Sequence, residues 1–175
     1  MTSLELITVE FDESYLLQEI TPAITDLTGL DTTVRRGITS ISEFYSLERG
    51  QYDGGKVIEK IEPGVKAHKA IIYTSVDLYI PIFTFVFGLA KLNGKLGIVS
   101  TSRLKPEFYG LPGDEQRLKE RLIKETIHEL GHLLNLRHCA NYQCVMTSSN
   151  TADDLDVKGT HYCTVCMGIL KRESG

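Results

Sequence analysis

Two histidines four positions apart, His128 and His132, constrain this chain more than any other feature of its sequence. On an α-helix, residues i and i+4 project from one face, so the two imidazoles can bind a single metal ion. Glu129 lies roughly 100° further round the helix, where it can reach a water on the metal without becoming a ligand. The pattern therefore predicts a zinc hydrolase site, with protein nitrogens on the metal, an open position for water and a carboxylate that takes its proton.

An apolar stripe on the same segment indicates that these histidines do not belong to the core. The stripe consists of Ile123, Ile127, Leu130 and Leu134. His128 and His132 point roughly 150° away from it, as the helical period requires. Leu122 and Leu133 lie off the stripe as well, so we expect other parts of the fold to cover this helix on both sides.

A third histidine, His138, follows six residues after His132. On a continued helix it would lie about 240° round from His132 and could not reach the same metal. The chain must therefore leave the helix between the two histidines and turn back sharply. Such an exit usually places one residue in the left-handed conformation, which glycine tolerates best and asparagine next. We predict that Asn135 adopts this conformation and so brings His138 to the metal.

A run of cysteines with one methionine follows His138. In order, these residues are Cys139, Cys144, Met146, Cys163 and Cys166. With the histidines, this last third of the chain resembles the motif H-E-x-x-H-x-x-G-x-x-H of metzincin zinc proteases and the Met-turn that follows it. The spacings C-x4-C-x-M and C-x2-C resemble the archaemetzincin family within that clan. One position departs from the motif, because Asn135 stands where the motif has glycine.

The histidines and the cysteines predict two zinc ions per chain, of different kinds. His128, His132 and His138 are the expected ligands of a catalytic zinc, because three protein ligands leave one position for water. Glu129 is the expected general base; the alternative is a salt bridge on the helix surface to Lys124 or Arg121. A structural zinc with a filled tetrahedral shell is expected at Cys139, Cys144, Cys163 and Cys166. Two disulfides or unliganded thiols remain alternatives for these cysteines.

The sequence thus predicts a zinc metallopeptidase that hydrolyses peptide bonds through a zinc-bound water. The resemblance implies that Met146 lies beneath the catalytic metal and that a sheet edge above the metal binds an extended substrate, which we assign to residues 83–90. Gly131 costs about 1 kcal/mol inside a helix, so we expect another segment to approach it closely. The second hypothesis is a non-catalytic module, in which zinc only stabilises the fold and the cleft holds a peptide or protein.

Composition limits the remaining possibilities. The 175 residues, 42% of them hydrophobic, predict one domain with a sizeable core. The net charge of −4 leaves no basic excess for nucleic acid or an anionic membrane. Residues 1–11 do not resemble an export signal, and the longest apolar run, residues 79–90, is too short to span a bilayer. We expect a cytoplasmic monomer that acts on peptides or proteins.

Local patterns predict an α+β fold with a mixed β-sheet and backing helices. The expected strands are residues 4–11, 31–39 with a continuation over 40–45, 69–75, 83–90 and 96–100; the expected helices are 13–28, 51–61, 114–134 and a short one within 162–170. Asn93-Gly94 predicts an antiparallel hairpin between the last two strands. We expect a single metzincin-like domain over 1–175. It would have an upper part over about 1–134, with the active-site helix, and a small irregular zinc-stapled part over about 135–175.

Overall fold

The structure, a computed structural model, describes residues 3–37 and 40–173. The strands of this part are β1 (Ser3–Thr8), β2 (Asp31–Arg36), β3 (Tyr45–Ser46), β4 (Gln51–Asp53), β5 (Lys69–Thr74), β6 (Leu78–Ile80), β7 (Phe83–Val86), β8 (Gly88–Ala90) and β9 (Leu96–Ser100). Its α-helices are α1 (Leu17–Thr28), α2 (Gly54–Ile61), α3 (Glu115–Leu133), α4 (Ala152–Val157) and α5 (Thr164–Glu173). The α+β class is confirmed.

The larger sheet has the strand order β2-β1-β5-β9-β8. Its first four strands are parallel, and β8 pairs antiparallel with β9 at one edge. The predicted hairpin at Asn93-Gly94 is therefore confirmed, and Asn93 has the positive φ of 54° that such a turn favours. Successive residues of β5 alternate between two cores: Ile71 and Tyr73 face the core with α1 and α3, while Ala70 and Ile72 face the core with α2. Burial on both faces explains why this strand is nearly all apolar.

A smaller sheet, ordered β3-β4-β6-β7, contains the first half of the predicted strand over 83–90. The prediction of one strand there is wrong, because β7 pairs with β6 while β8 pairs with β9 of the larger sheet. The change of sheet occurs at Phe87, whose carbonyl accepts a hydrogen bond from the N–H of Ser100 at 2.8 Å. An apolar run shows that a segment is extended, but the strands it pairs with lie elsewhere in the sequence.

Two further predictions in the first third of the chain are wrong. Residues 51–61 are not one helix: β4 comes first, and the Asp53 side chain then accepts a hydrogen bond from the N–H of Lys56 and caps α2. Residues 42–44 form a 3-10 helix, so the predicted strand over 31–39 does not continue through 40–45. Part of that expected strand, residues 38–39, lies outside the described residues.

The long helix α3 begins at its predicted cap, where the Asp114 carboxylate accepts a hydrogen bond from the N–H of Arg117 at 2.9 Å. It contacts β5, β8 and β9 of the larger sheet and the helices α1 and α4. Helix α4 falls within a stretch that we expected to be irregular; Thr151 and Asp154 form a capping box at its start. No helix among the described residues is long and apolar enough to cross a membrane.

Candidate active site and cysteine cluster

The structure brings the three histidines of the motif together. Ligand atoms of His128, His132 and His138 all lie within 4.8 Å of one another, and the two Nε2 atoms of His128 and His132 are 3.1 Å apart. His128 is buried, His132 is half-buried and His138 is exposed. The cluster therefore runs from the interior to the surface of a cleft.

Backbone carbonyls determine which ring nitrogens face into this cluster. The Nδ1 of His128 lies 2.8 Å from the carbonyl of Val145, and the Nδ1 of His132 lies 2.8 Å from that of Leu136. Each Nδ1 must carry the proton that it donates, so each Nε2 presents a lone pair. Two lone pairs facing each other at 3.1 Å repel unless a cation lies between them. The separation is close to the roughly 3.3 Å expected for nitrogens about 2.0 Å from a tetrahedral zinc.

Burial also keeps these imidazoles neutral. Desolvation lowers the pKa of His128 well below its ordinary value of 6.5, and the nearby charge of Lys158 acts in the same direction. The pKa values of His132 and His138 are lowered as well, again chiefly by burial. A neutral imidazole is the form that binds a metal.

The exit from α3 has the predicted geometry. Asn135 has a φ of +67°, in the left-handed region. The N–H of Leu136 donates to the carbonyl of Gly131 at 2.8 Å, and the N–H of Asn135 donates to that of His132 at 2.9 Å. These two bonds form a Schellman motif, which ends the helix and reverses the chain. The prediction that Asn135 takes the role of the glycine in the motif is confirmed for its backbone conformation.

Glu129 lies in the same cleft, which has a volume of about 430 Å³. The surface salt bridge considered for it is absent from the described residues, because Arg121 pairs with Asp156 and Lys124 binds the carbonyl of Leu155. Glu129 is buried, and its Oε2 has no hydrogen-bond partner among the described groups. Burial, followed by the charge of Glu125, raises its pKa well above 4.5.

The sequence analysis did not predict two residues of this site. Glu125 lies one helical turn before Glu129, is also buried, and its charge helps to raise the pKa of the Glu129 carboxyl group. The Nζ of Lys158 lies 3.8 Å from Glu125 and donates to the carbonyl of Thr147 at 3.2 Å. Helical spacing from Glu129 could have indicated Glu125. Lys158 carries no local signal, because only the fold brings it to α3.

Gly131 shows the close approach that we predicted. A Cβ at this position would collide with the Sδ of Met146 and lie 3.1 Å from the ring of Tyr162. Met146 is fully buried under α3. The hydroxyl of Tyr162 donates to the carbonyl of Ile127 at 2.8 Å. The hydroxyl proton is therefore already engaged in a hydrogen bond within the protein.

The four cysteines form a second cluster, with all Sγ atoms within 4.8 Å of one another. The Cys139–Cys163 and Cys144–Cys166 sulfur pairs are each 3.8 Å apart. A disulfide requires about 2.0 Å. By contrast, sulfurs about 2.3 Å from a tetrahedral zinc lie about 3.8 Å apart. The geometry therefore fits a metal and not two disulfides.

The two clusters are directly connected. Cys139 follows His138 in the chain, and its N–H donates to the carbonyl of Met146 at 3.0 Å. The N–H of Cys163 donates to the Sγ of Cys144 at 3.3 Å, and the N–H of Cys166 is the main reason that the pKa of Cys163 falls to about 7. Backbone N–H groups thus favour the thiolate of Cys163, which is the ligating form, whereas burial raises the pKa of Cys144 and Cys166.

The fold and these clusters define a metallopeptidase of the metzincin type. The model of Peptidase family M54 matches residues 32–172. The archaemetzincin of Pyrococcus horikoshii is 41% identical over 150 residues, which cover 82% of this chain and 79% of that protein. The archaemetzincin of Methanocaldococcus jannaschii is 44% identical over 127 residues, which cover 73% and 70%.

Solved structures agree with these sequence matches. A zinc-dependent peptidase from Methanocorpusculum labreanum superposes with a TM-score of 0.87 at 30% identity, covering 96% of this chain and all of that one (100%). The archaemetzincin of Methanopyrus kandleri gives a TM-score of 0.86 at 30% identity, with 99% and 95% covered. The chain belongs to Peptidase family M54 and is a zinc metallopeptidase of the archaemetzincin type. Its substrates are peptides or proteins.

Proposed function

We propose that His128, His132 and His138 hold the catalytic zinc of this peptidase and that Glu129 is its general base. The observation that carries the ligand assignment is the 3.1 Å approach of two lone-pair nitrogens, which needs a cation to be stable. Zinc bound there would acidify a water molecule and polarise the carbonyl of the peptide bond. Three protein ligands fit this task, since they leave one position open.

Three observations support Glu129 as the group that moves the proton. Its carboxylate lines the cleft beside the three imidazoles, and its Oε2 is not bound by any other described group. Desolvation strengthens it as a base. It would accept a proton from the attacking water and pass it to the nitrogen of the leaving amine. Glu125 and Lys158 line the same cleft, and their charges act on the pKa of this carboxyl group in opposite directions, Glu125 raising it and Lys158 lowering it.

We propose a second, structural zinc at Cys139, Cys144, Cys163 and Cys166. Four thiolates fill a tetrahedral shell and leave no position for a substrate. The sulfur separations of 3.8 Å support this assignment. The chain would then hold two zinc ions.

An extended peptide would bind along β7 and β8. Each is the last strand in the order of its sheet, and together they line one wall of the cleft, facing the histidines. An edge strand offers unpaired N–H and C=O groups to an added strand. Phe83, Phe85 and Phe87 also line the cleft, so we propose that it takes apolar side chains.

The test compares zinc-loaded parent protein with Glu129→Gln on a peptide library, with metal content measured in each. We expect the variant to keep two zinc ions and to lose about 10²- to 10⁴-fold in turnover, the usual contribution of a general base. Glu120→Gln is the matched control, because Glu120 is exposed on the same helix. Parent-like turnover by Glu129→Gln would exclude Glu129 as the base. An inactive parent with both zinc ions bound would favour the non-catalytic module.

A further inference from the structure

Gly88, the first residue of β8, lies directly against the side chain of Glu129. A Cβ at this position would lie 2.7 Å from the Cγ and the Oε1 of Glu129 and 2.9 Å from its Cδ. These separations are shorter than real Cβ contacts, so any side chain at residue 88 would move the carboxylate. The backbone conformation does not require glycine here, because the described glycines with positive φ are Gly29, Gly50 and Gly110.

The strand on which Gly88 lies is fixed by its neighbours. Gly88 pairs with Val99 in the ladder of β8 and β9, and the carbonyl of Phe87 accepts the N–H of Ser100. Val99 is fully buried. A collision at residue 88 would therefore move the side chain of Glu129 before it moved the strand.

Two further charged groups lie near Glu129. The charge of Glu125 acts on its carboxyl group, and Lys158, with a side chain that is only 1% exposed, lies 3.8 Å from Glu125. The Glu129 carboxyl group thus has the backbone of a strand on one side and a second buried carboxyl group nearby.

We propose that Gly88 is a positioning residue, whose missing side chain lets the Glu129 carboxylate lie against β8 at the distance from the histidines that proton transfer requires. The inference rests on the proposed role of Glu129 as general base. Although Gly88 also lies on the strand proposed to bind substrate, its missing side chain acts through Glu129, because the three atoms nearest to the absent Cβ belong to Glu129.

The first measurement is the steady-state kinetics of Gly88→Ala, with metal content and thermal unfolding recorded for the same sample. Displacing a catalytic group by about 1 Å can cost about 100-fold. We expect kcat to fall 10- to 100-fold while KM changes less than about threefold, because substrate binding is retained. Two zinc ions should remain bound. Gly64→Ala is the matched control, since a Cβ at Gly64 meets nothing within 4 Å.

A double-mutant cycle separates this role from a general effect on the fold or on the edge strand. In the Glu129→Ala background the colliding atoms are gone, so adding Gly88→Ala should leave the residual rate unchanged. If Gly88→Ala alone lowers the melting temperature, the double variant should recover it. An equal loss of rate in both backgrounds, or no recovery of stability, would overturn the inference.

The same data distinguish two failures. Parent-like kcat in Gly88→Ala, together with an inactive Glu129→Ala, would overturn the role of Gly88 and leave that of Glu129 intact. Parent-like activity in Glu129→Ala would overturn the general base and this inference with it. A rise in KM at unchanged kcat in Gly88→Ala would assign Gly88 to substrate binding and contradict the proposal.

Discussion

The histidine cluster and the cysteine cluster are built in different ways. Two of the histidines lie on one helix that is buried between a sheet and the carboxy-terminal segment, and a single turn brings the third. The cysteines come from two segments: 139–144, which forms no helix or strand, and 163–166, which leads into α5. The first cluster offers three possible ligands and opens on a cleft, while the second offers four. Three ligands, two of them on a preformed helix, leave a coordination position open for catalysis. Four thiolates around one metal leave none, and such a metal would hold two segments of the chain together.

The segment after residue 138 contributes little to the apolar core. Two clusters of buried residues lie one on each face of the larger sheet, and the first of them extends into this segment. Among the described residues after 138, the fully or nearly fully buried apolar side chains are few: Cys144, Val145, Met146, Ala152, Leu155 and Cys166. We therefore expect this segment to depend on the proposed structural zinc more than the rest of the chain does.

The largest expected effect on activity is that of His138→Ala. The His138 side chain is exposed, so its loss should leave the fold intact while removing one zinc ligand. We expect peptidase activity to fall to that of protein treated with a chelator, and zinc content to fall from two ions to one. The melting temperature should stay within a few degrees of the parent. Full activity with two zinc ions would exclude His138 as a ligand.

The largest expected effect on stability is that of Cys163→Ser. It should remove the other zinc ion and loosen residues 139–173, because metal binding there also provides folding energy. Limited proteolysis and hydrogen exchange should report this loosening, while β1 and β5 stay protected. Val165→Ser, at an exposed position two residues further along the chain, is the control. Two bound zinc ions and parent stability in Cys163→Ser would refute the four-thiolate site.

An effect that depends on the substituted residue is expected at Asn135. Asn135→Gly should keep activity and both metals, because glycine accepts a φ of +67°. Asn135→Val should lose the histidine-bound zinc, since a β-branched residue resists positive φ, while the cysteine cluster keeps its metal at least in part. Zinc titration of the two variants checks this. Equal zinc affinity in Asn135→Val and the parent would contradict this account of how His138 is positioned.

The smallest effect is expected from mild acid. Burial lowers the pKa of all three imidazoles below 6.5, so protons compete with zinc only below that pH. We expect zinc retention to be flat from pH 8 to 6.5 and to decline below it. In metal-free protein the unfolded chain takes up protons first as the pH falls through 6.5, so stability should also decline below that value. Loss of the histidine-bound zinc already between pH 7.5 and 6.5 would contradict the lowered pKa values.

Local sequence predicted those parts of the fold that depend on local physics. The predictions of strand β9 and of the cap of α3 at Asp114 are confirmed, because each depends only on a short apolar run or on one capping residue. The left-handed Asn135 followed from helix geometry alone. Thr151 and Asp154, which form the capping box of α4, are a local signal for this helix that the prediction of an irregular segment did not use.

The remaining features depend on contacts between distant segments. The extended run over residues 83–90 changes from one sheet to the other at Phe87, because its two partner strands, β6 and β9, belong to different sheets. Lys158 reaches Glu125 across 33 positions of the chain, and Gly88 meets Glu129 across 41. Nothing near these residues in the sequence indicates those partners. The motif predicted which residue types the site needs, and the fold added the groups that enclose them.

Anomalous X-ray scattering at the zinc edge, from crystals of the purified protein, tests the central claim most directly. The account predicts two peaks per chain: one among the three imidazoles with one position open toward the cleft, and one at the centre of the four sulfurs. A single peak, or a peak at the histidines whose fourth position is filled by a protein side chain, would contradict it.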